Sequence, residues 1–315
     1  MKLLIDDAVW GFDKIFSEFG EVFTLPGREI RRESLKDFDA LIVRSRTRVD
    51  EKLLRGSKIK FVGSTVAGLD HIDQGYLNDQ KIVFASAQGC NANAVSEYVI
   101  SAIANLSNDF NFKLADKTLG IIGVGNVGRR LDFKAKQLEM KTLLNDPPRE
   151  ALEGSDNFTS LEKALSADIV TFHTPLTYSG PHPTYKLLDS HNFKHINKDA
   201  IVINAARGGI INEMAWETTQ TKANIIDCWE NEPNINLNLQ KSAYWATPHI
   251  AGHSIDAKFM GSFMVYKDLC KYIKKPLNEN IEHLINPELR IIRENNLHET
   301  LNSIYPFQAD DKAIQ

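Results

Sequence analysis

The sequence predicts an α/β protein of mostly parallel strands, divided into two domains. Short β-branched runs alternate with amphipathic segments from one end to the other, the pattern of repeated strand–helix–strand units. A glycine-rich turn follows one of those runs and opens a helix. The 315 residues also exceed a typical single domain of roughly 100–200.

The first series of expected strands is Lys2–Ile5, Ala40–Val43, Ile59–Val62 and Ile82–Phe84. A long helix is expected from Asn91 to Asp109. Its apolar residues Ala94, Val95, Tyr98, Val99, Ala102, Ile103 and Leu106 share one face at helical spacing, and Asn91 or Asn93 is placed to cap it. A second alternating series then starts afresh as a compact domain of its own, with strands at Thr118–Ile122, Thr142–Asn145, Ile169–Thr171, Ile201–Asn204, Ile225–Asp227 and Tyr244–Ala246. Residues 179–186 (SGPHPTYK is their neighbourhood) form a Pro/Gly-rich loop. A last long helix, Ser254–Ile273, is expected to return the chain to the first domain.

Composition narrows the function. Hydrophobic residues make up 43% and charged residues 25%, as in a soluble globular protein. The net charge of −4 gives no basic footprint for nucleic acid. Cys90, Cys228 and Cys270 are odd in number and far apart, which suits neither a disulfide framework nor a metal site. Reduced thiols in a cytoplasmic protein are expected. The start, MKLLIDD, meets Asp6 and Asp7 too soon for a signal peptide. No run reaches the roughly 18 apolar residues of a membrane span. From Lys274 onward the chain turns polar, and its end reads as frayed.

The strongest local motif is Gly123-Val124-Gly125-Asn126-Val127-Gly128, after the strand KTLGII. The first glycine permits a tight turn, the second lets the backbone approach a pyrophosphate, and the third lets helix and strand pack closely. The helix N-terminus offers N–H groups and a positive dipole end to phosphates. Asp146 ends the next strand, about 20 residues on, where a carboxylate accepts from a ribose 2′-hydroxyl and repels a 2′-phosphate. NAD is therefore the expected cofactor, with Arg149 nearby leaving NADP open. A plain glycine turn beside a surface aspartate is the competing reading. Ligands of such sheets lie beyond the strand C-termini, so Thr174, Ala205, Ala206, Arg207 and Asp227 should border one crevice.

Arg207 in NAARGG, Glu232 in CWENEP and His249 in TPHIAG lie at or soon after those strand ends. Singly, each reads as a surface charge, a solvated acid and a satisfied histidine. Together they supply what oxidation of a 2-hydroxy acid requires. A histidine takes the hydroxyl proton. A carboxylate orients its ring and favours the imidazolium. A guanidinium holds the substrate carboxylate and polarises the C2 oxygen.

The strings GVGNVGRR, HTP, INAARGG, DCWENEP and TPHIAG, in that order, resemble the D-2-hydroxyacid dehydrogenase family over almost the whole chain. The resemblance implies two Rossmann-like doubly wound parallel-sheet domains with NAD in an interdomain cleft, and a catalytic Arg207, Glu232 and His249. It implies a substrate-binding part at 1–92, an NAD-binding domain at 93–253, a return helix at 254–280 and, at 281–315, a short opening part of a longer dimerisation domain. A homodimer is expected on that basis. Hinges are expected near Gln88–Asn93 and His253–Asp256.

The further strings PGREI, IVRSRTRV, IKFVGS, AGLDHID, QGCNANAVSEYV and NDPPRE resemble a branch acting on a small phosphorylated 2-hydroxy acid, 4-phospho-D-erythronate, on the way to pyridoxal 5′-phosphate. That likeness makes Ser45, Thr65, Val66 and His253 the substrate contacts and adds Gly252 to the cofactor contacts. Val66 stands where the branch has threonine, and His253 where it has tyrosine. Arg44, Arg46 and Arg48 would share one side of an extended stretch, suited to a phosphate; a solvated basic loop is the alternative. Two other functions remain in view: a dehydrogenase for another acid such as 3-phosphoglycerate, and an NAD-responsive binding protein without turnover.

Overall fold

The computed structural model describes residues 1–282, 284 and 310–311. The expected tail domain at 281–315, including Glu288–Pro306, lies outside the described residues apart from 281, 282, 284, 310 and 311. Two compact units are seen. One is Met1–Asn91 joined by the described chain from His253 to residue 284, and the other is built on Ala92–Gly252.

The first unit holds a parallel sheet of β1 (Lys2–Asp6), β2 (Glu21–Leu25), β3 (Ala40–Val43), β4 (Phe61–Ser64) and β5 (Val83–Ser86), in the order β2-β1-β3-β4-β5. Side chains alternate across it. Leu3, Ile5, Ala40 and Ile42 face the helix Ile255–Ile273 through Phe259, Phe263, Tyr266 and Leu269. Leu4, Leu41, Val43 and Val62 pack against Ile30, Leu35, Leu53 and Leu77 on the other face. A Cβ on Gly63 would stand 2.4 Å from Val265 Cγ1, so only glycine admits the helix this close. Ser254 caps that helix, its hydroxyl accepting from Ala257 N at 3.0 Å. Strand β2 was not anticipated. It is an edge strand whose residues are all half-buried or exposed, so it lacks the buried apolar run that marks the others.

The second unit holds β6 (Thr118–Ile122), β7 (Lys141–Asn145), β8 (Ile169–Phe172), β9 (Ile201–Asn204), β10 (Ala223–Ile226) and β11 (Trp245–Ala246). All are parallel, ordered β11-β10-β9-β8-β6-β7. Leu119 and Ile121 of β6 face the helix Ala92–Asp109 through Val99, Ile103 and Leu106. On the opposite side Ile122 and its β8 neighbour Phe172 pack with Ala164 and Leu165. Strand order reverses between β6 and β8, the switch point where such sheets take ligands. Among the described residues, no helix is long and apolar enough to cross a membrane.

Candidate active site

Because the strands of the second unit are parallel, their C-terminal ends share one edge. Gly123, Asp146, Ala205 and Asp227 directly follow strands there, and the other residues singled out for this unit lie in the segments that continue from those ends. Gly123 follows β6 at φ +89, a left-handed conformation suited to glycine. A Cβ on it would stand 2.7 Å from Thr174 N, so the turn is pressed against the end of β8. A Cβ on Gly128 would stand 2.2 Å from Gly123 O, which seats the helix Asn126–Gln137 on the turn. Gly125, by contrast, faces open space. The first N–H groups of that helix, at Asn126 and Val127, have no intrahelical acceptor.

Asp146 ties this turn to the end of β7. Its carboxylate accepts from Val124 N at 2.8 Å and from Arg149 N at 3.1 Å. Each oxygen keeps a lone pair for a ribose hydroxyl. Arg149 is held elsewhere, with Nε and an amino group on the Glu153 carboxylate at 2.7 and 2.6 Å and another on Val124 O. A guanidinium already paired in this way is poorly placed to recruit a 2′-phosphate. The buried Thr174 hydroxyl and His173 Nδ1 have no hydrogen-bond partner among the described residues. Burial pushes His173 down to about 3, so the ring is neutral. Open space at Gly125, free helix N–H groups, an acceptor at Asp146 and unmatched polar atoms at the end of β8 fit a dinucleotide at the switch point.

Three loops carry the reactive groups. Ala205, Ala206 and Arg207 follow β9. Asn204 folds this loop back, accepting from Ala206 N at 3.2 Å and donating to Arg207 O at 2.9 Å and to Cys228 O at 3.3 Å. The Arg207 guanidinium donates to Ala206 O at 2.7 Å. Gly208 lies so close to the next loop that a Cβ would stand 1.9 Å from Trp229 O. That next loop follows β10. Trp229 N donates to Glu232 Oε1 at 2.8 Å, and buried Glu213 takes Glu230 N at 2.7 Å. The third loop follows β11 and presents His249.

Glu232 Oε2 and His249 Nδ1 are 2.8 Å apart. Burial alone would raise the Glu232 carboxyl. The His249 hydrogen bond and charge, Trp229 N–H and the Arg207 guanidinium instead hold it below the usual range. An ionised carboxylate only accepts, so Nδ1 carries the proton of this bond. The Cys228 sulfur and the Glu232 carboxylate push His249 up to about 11, against burial. Burial raises the Cys228 thiol itself, leaving it neutral near pH 7, so the lasting charge beside His249 is Glu232. Asp227 lies inside the fold at 1% exposure, accepting from Thr247 Oγ1 and Ile250 N at 2.6 and 2.8 Å and from Ala251 N at 3.0 Å. Half-buried Gly252 comes next in the chain.

In the first unit, Ser45 is exposed in a turn that begins where β3 ends. Residues 44–48 are not extended, because Thr47 N turns back to Arg44 O at 3.3 Å. The expected alternation of Arg44, Arg46 and Arg48 therefore does not apply. Arg48 pairs with Asp50 at 3.0 Å, Arg44 reaches Ala8 O at 3.4 Å, and Arg46 is exposed. The Thr65 hydroxyl lies 3.4 Å from Val43 O, and Val66 is half-buried. His253 is exposed, just ahead of the Ser254 cap. Sequence reasoning missed Asn204, Glu213, Trp229 and Thr247. Only Asn204, at a strand end beside the arginine, carried a local signal.

Residues 94–251 match the family described as D-isomer specific 2-hydroxyacid dehydrogenase, NAD binding domain. A protein of Ruthia magnifica subsp. Calyptogena magnifica named erythronate-4-phosphate dehydrogenase is 58% identical over 315 residues, covering 100% of this chain and 91% of the relative. One of the same name from Hydrogenovibrio crunogenus is 50% identical over 320 residues, covering 99% and 85%. Among solved structures, the NAD⁺-bound 3-phosphoglycerate dehydrogenase of Entamoeba histolytica superposes with a TM-score of 0.73 at 26% identity, covering 87% of this chain and 95% of that one. The chain belongs to the D-isomer specific 2-hydroxyacid dehydrogenase family, as an NAD-dependent oxidoreductase.

Proposed function

We propose that the protein oxidises the C2 hydroxyl of 4-phospho-D-erythronate to (R)-3-hydroxy-2-oxo-4-phosphobutanoate, a step towards pyridoxal 5′-phosphate. The observation that carries the chemistry is the 2.8 Å bond between His249 Nδ1 and Glu232 Oε2. Identity of 58% to a protein named for this substrate supports the choice of acid.

When bound, NAD supplies the acceptor for the hydride that leaves C2. With Nδ1 held by Glu232, the hydroxyl proton passes to His249 Nε2. Glu232 steadies the imidazolium that results. Arg207 holds the substrate carboxylate and polarises the C2 oxygen. Gly123, Gly125, Asn126, Val127 and Gly128 hold the pyrophosphate, and Asp146 takes the adenosine ribose. Thr174, Ala205, Ala206, Asp227 and Gly252 complete the cofactor contacts. Ser45, Thr65, Val66 and His253 are the proposed substrate contacts. Because the Thr65 hydroxyl is turned to Val43 O, the 65–66 stretch acts through its backbone. A cytoplasmic homodimer is the proposed working form.

Steady-state assays with NAD test the reading on 4-phospho-D-erythronate, 3-phosphoglycerate and D-lactate. The four-carbon phosphate should give the highest kcat/KM, and a preference for either other acid would overturn the substrate. His249→Ala should lose roughly 10²–10⁴-fold in kcat while keeping its affinity for NAD. Unchanged turnover would remove the proposed acid–base group.

A further inference from the structure

We propose that Thr247, fixed by Tyr98, is a positioning residue that holds His249 in its working orientation; this rests on the acid–base reading of His249. The backbone at His249 has φ +56, a left-handed conformation that side-chain-bearing residues seldom adopt without support. The support converges on Thr247, which follows β11 and precedes Pro248. Its carbonyl accepts the His249 N–H and the Trp229 indole N–H, each at 3.0 Å. Its hydroxyl stands 2.6 Å from Asp227 Oδ1 and 2.6 Å from the Tyr98 hydroxyl.

The direction of this chain follows from its end. Asp227 Oδ1 already takes Ile250 N, and Oδ2 takes Ala251 N, with the Cys228 thiol 3.9 Å away. A carboxylate so surrounded by donors acts as acceptor only. Thr247 therefore donates to Asp227, and Tyr98 donates to Thr247. Every member is buried: Thr247 is 0% exposed, Asp227 1%, Trp229 3% and Tyr98 4%. A half-satisfied polar network in a dry interior is costly, so the loss of one hydroxyl is transmitted to its neighbours. Tyr98 sits on the helix Ala92–Asp109, 149 residues before Thr247, and so ties the His249 turn to the core of the NAD-binding unit. Neither hydroxyl serves the reaction itself; together they fix residues 247–251 on both sides of the imidazole.

Thr247→Val keeps the shape and removes the hydroxyl. It should lower kcat roughly 10²-fold, as expected for a slightly misplaced catalytic group. The KM for the hydroxy acid should stay near wild type. Thr247→Ser restores the hydroxyl and should recover most of the loss. Tyr98→Phe removes one donor and should lower kcat about tenfold. A Thr247→Val enzyme with wild-type kcat, or a Thr247→Ser enzyme as impaired as Thr247→Val, would overturn the proposal. If Thr247→Val does not fold, Tyr98→Phe decides, and full activity there overturns it. His249→Ala is measured alongside. Turnover retained in His249→Ala sinks the reading of the site, whereas its loss beside a fully active Thr247→Val sinks only the positioning role.

Discussion

Gly208 offers the sharpest test of how the three loops are held together. Its φ is not in the left-handed region, so alanine there meets no backbone penalty and the effect is steric alone. The new methyl would stand 1.9 Å from Trp229 O, 2.1 Å from Trp229 C and 2.5 Å from Glu230 N. These are backbone atoms, which cannot swing aside as a side chain would. Ordinary contact begins at 3.4 Å, so the Arg207 loop and the loop bearing Glu232 must part by about 1.5 Å. Overpacking of this kind costs about 1–3 kcal/mol of stability, and at roughly 2–4 °C per kcal/mol it lowers Tm by several degrees. Moving a catalytic group by about 1 Å costs on the order of 10²-fold in rate. We therefore expect Gly208→Ala to fold, to lose about 10²-fold in kcat/KM, and to lose less in NAD affinity, because Ala205 and Ala206 lie on the displaced loop whereas the Gly123–Gly128 turn and Asp146 lie at other strand ends. The checks are steady-state kinetics, thermal melting and NAD titration. A variant with wild-type kcat/KM would show that the close approach of these loops is not what assembles the site, whatever its Tm.

Two further changes probe the cofactor and the proton. Asp146→Asn removes the charge that repels a 2′-phosphate, and the ratio of kcat/KM with NAD to that with NADP should fall about tenfold, near 1.4 kcal/mol; an unchanged ratio would remove Asp146 from cofactor choice. Glu232→Gln removes the lasting charge that raises His249, so the imidazole pKa should fall towards 6.5. Oxidation needs the neutral ring, so the rising limb of its pH–rate profile should move to lower pH, below a reduced maximum. Reduction needs the imidazolium, so its falling limb should move the same way. Limbs that stay in place would contradict the pairing.

Much of this was legible from local sequence, for identifiable reasons. Thr118–Ile122 and Ile201–Asn204 read with their observed bounds because these central strands are covered on both faces and form continuous apolar runs. Strand β2 stayed hidden because an edge strand needs no such run. The alternation expected of Arg44, Arg46 and Arg48 failed because β3 stops at Val43 and the chain turns at once. Arg207, Glu232 and His249 were legible as residue types at strand ends, where this architecture places its chemistry. What holds them was not. The contact of Gly208 with Trp229, the Asp227 bonds to Ile250 and Ala251, and the link from Tyr98 to Thr247 all join residues distant in the chain. No local pattern encodes which buried hydroxyl will meet which carboxylate.

The proposed proton transfer depends on the state of one ring, so NMR of the His249 ring nitrogens across a pH titration is the most direct measurement. We expect Nδ1 to keep a hydrogen-bonded proton and the imidazolium to persist well above pH 6.5, held by Glu232 at 2.8 Å. A ring that loses its charge at or below pH 6.5, with no hydrogen-bonded proton on Nδ1, would contradict it.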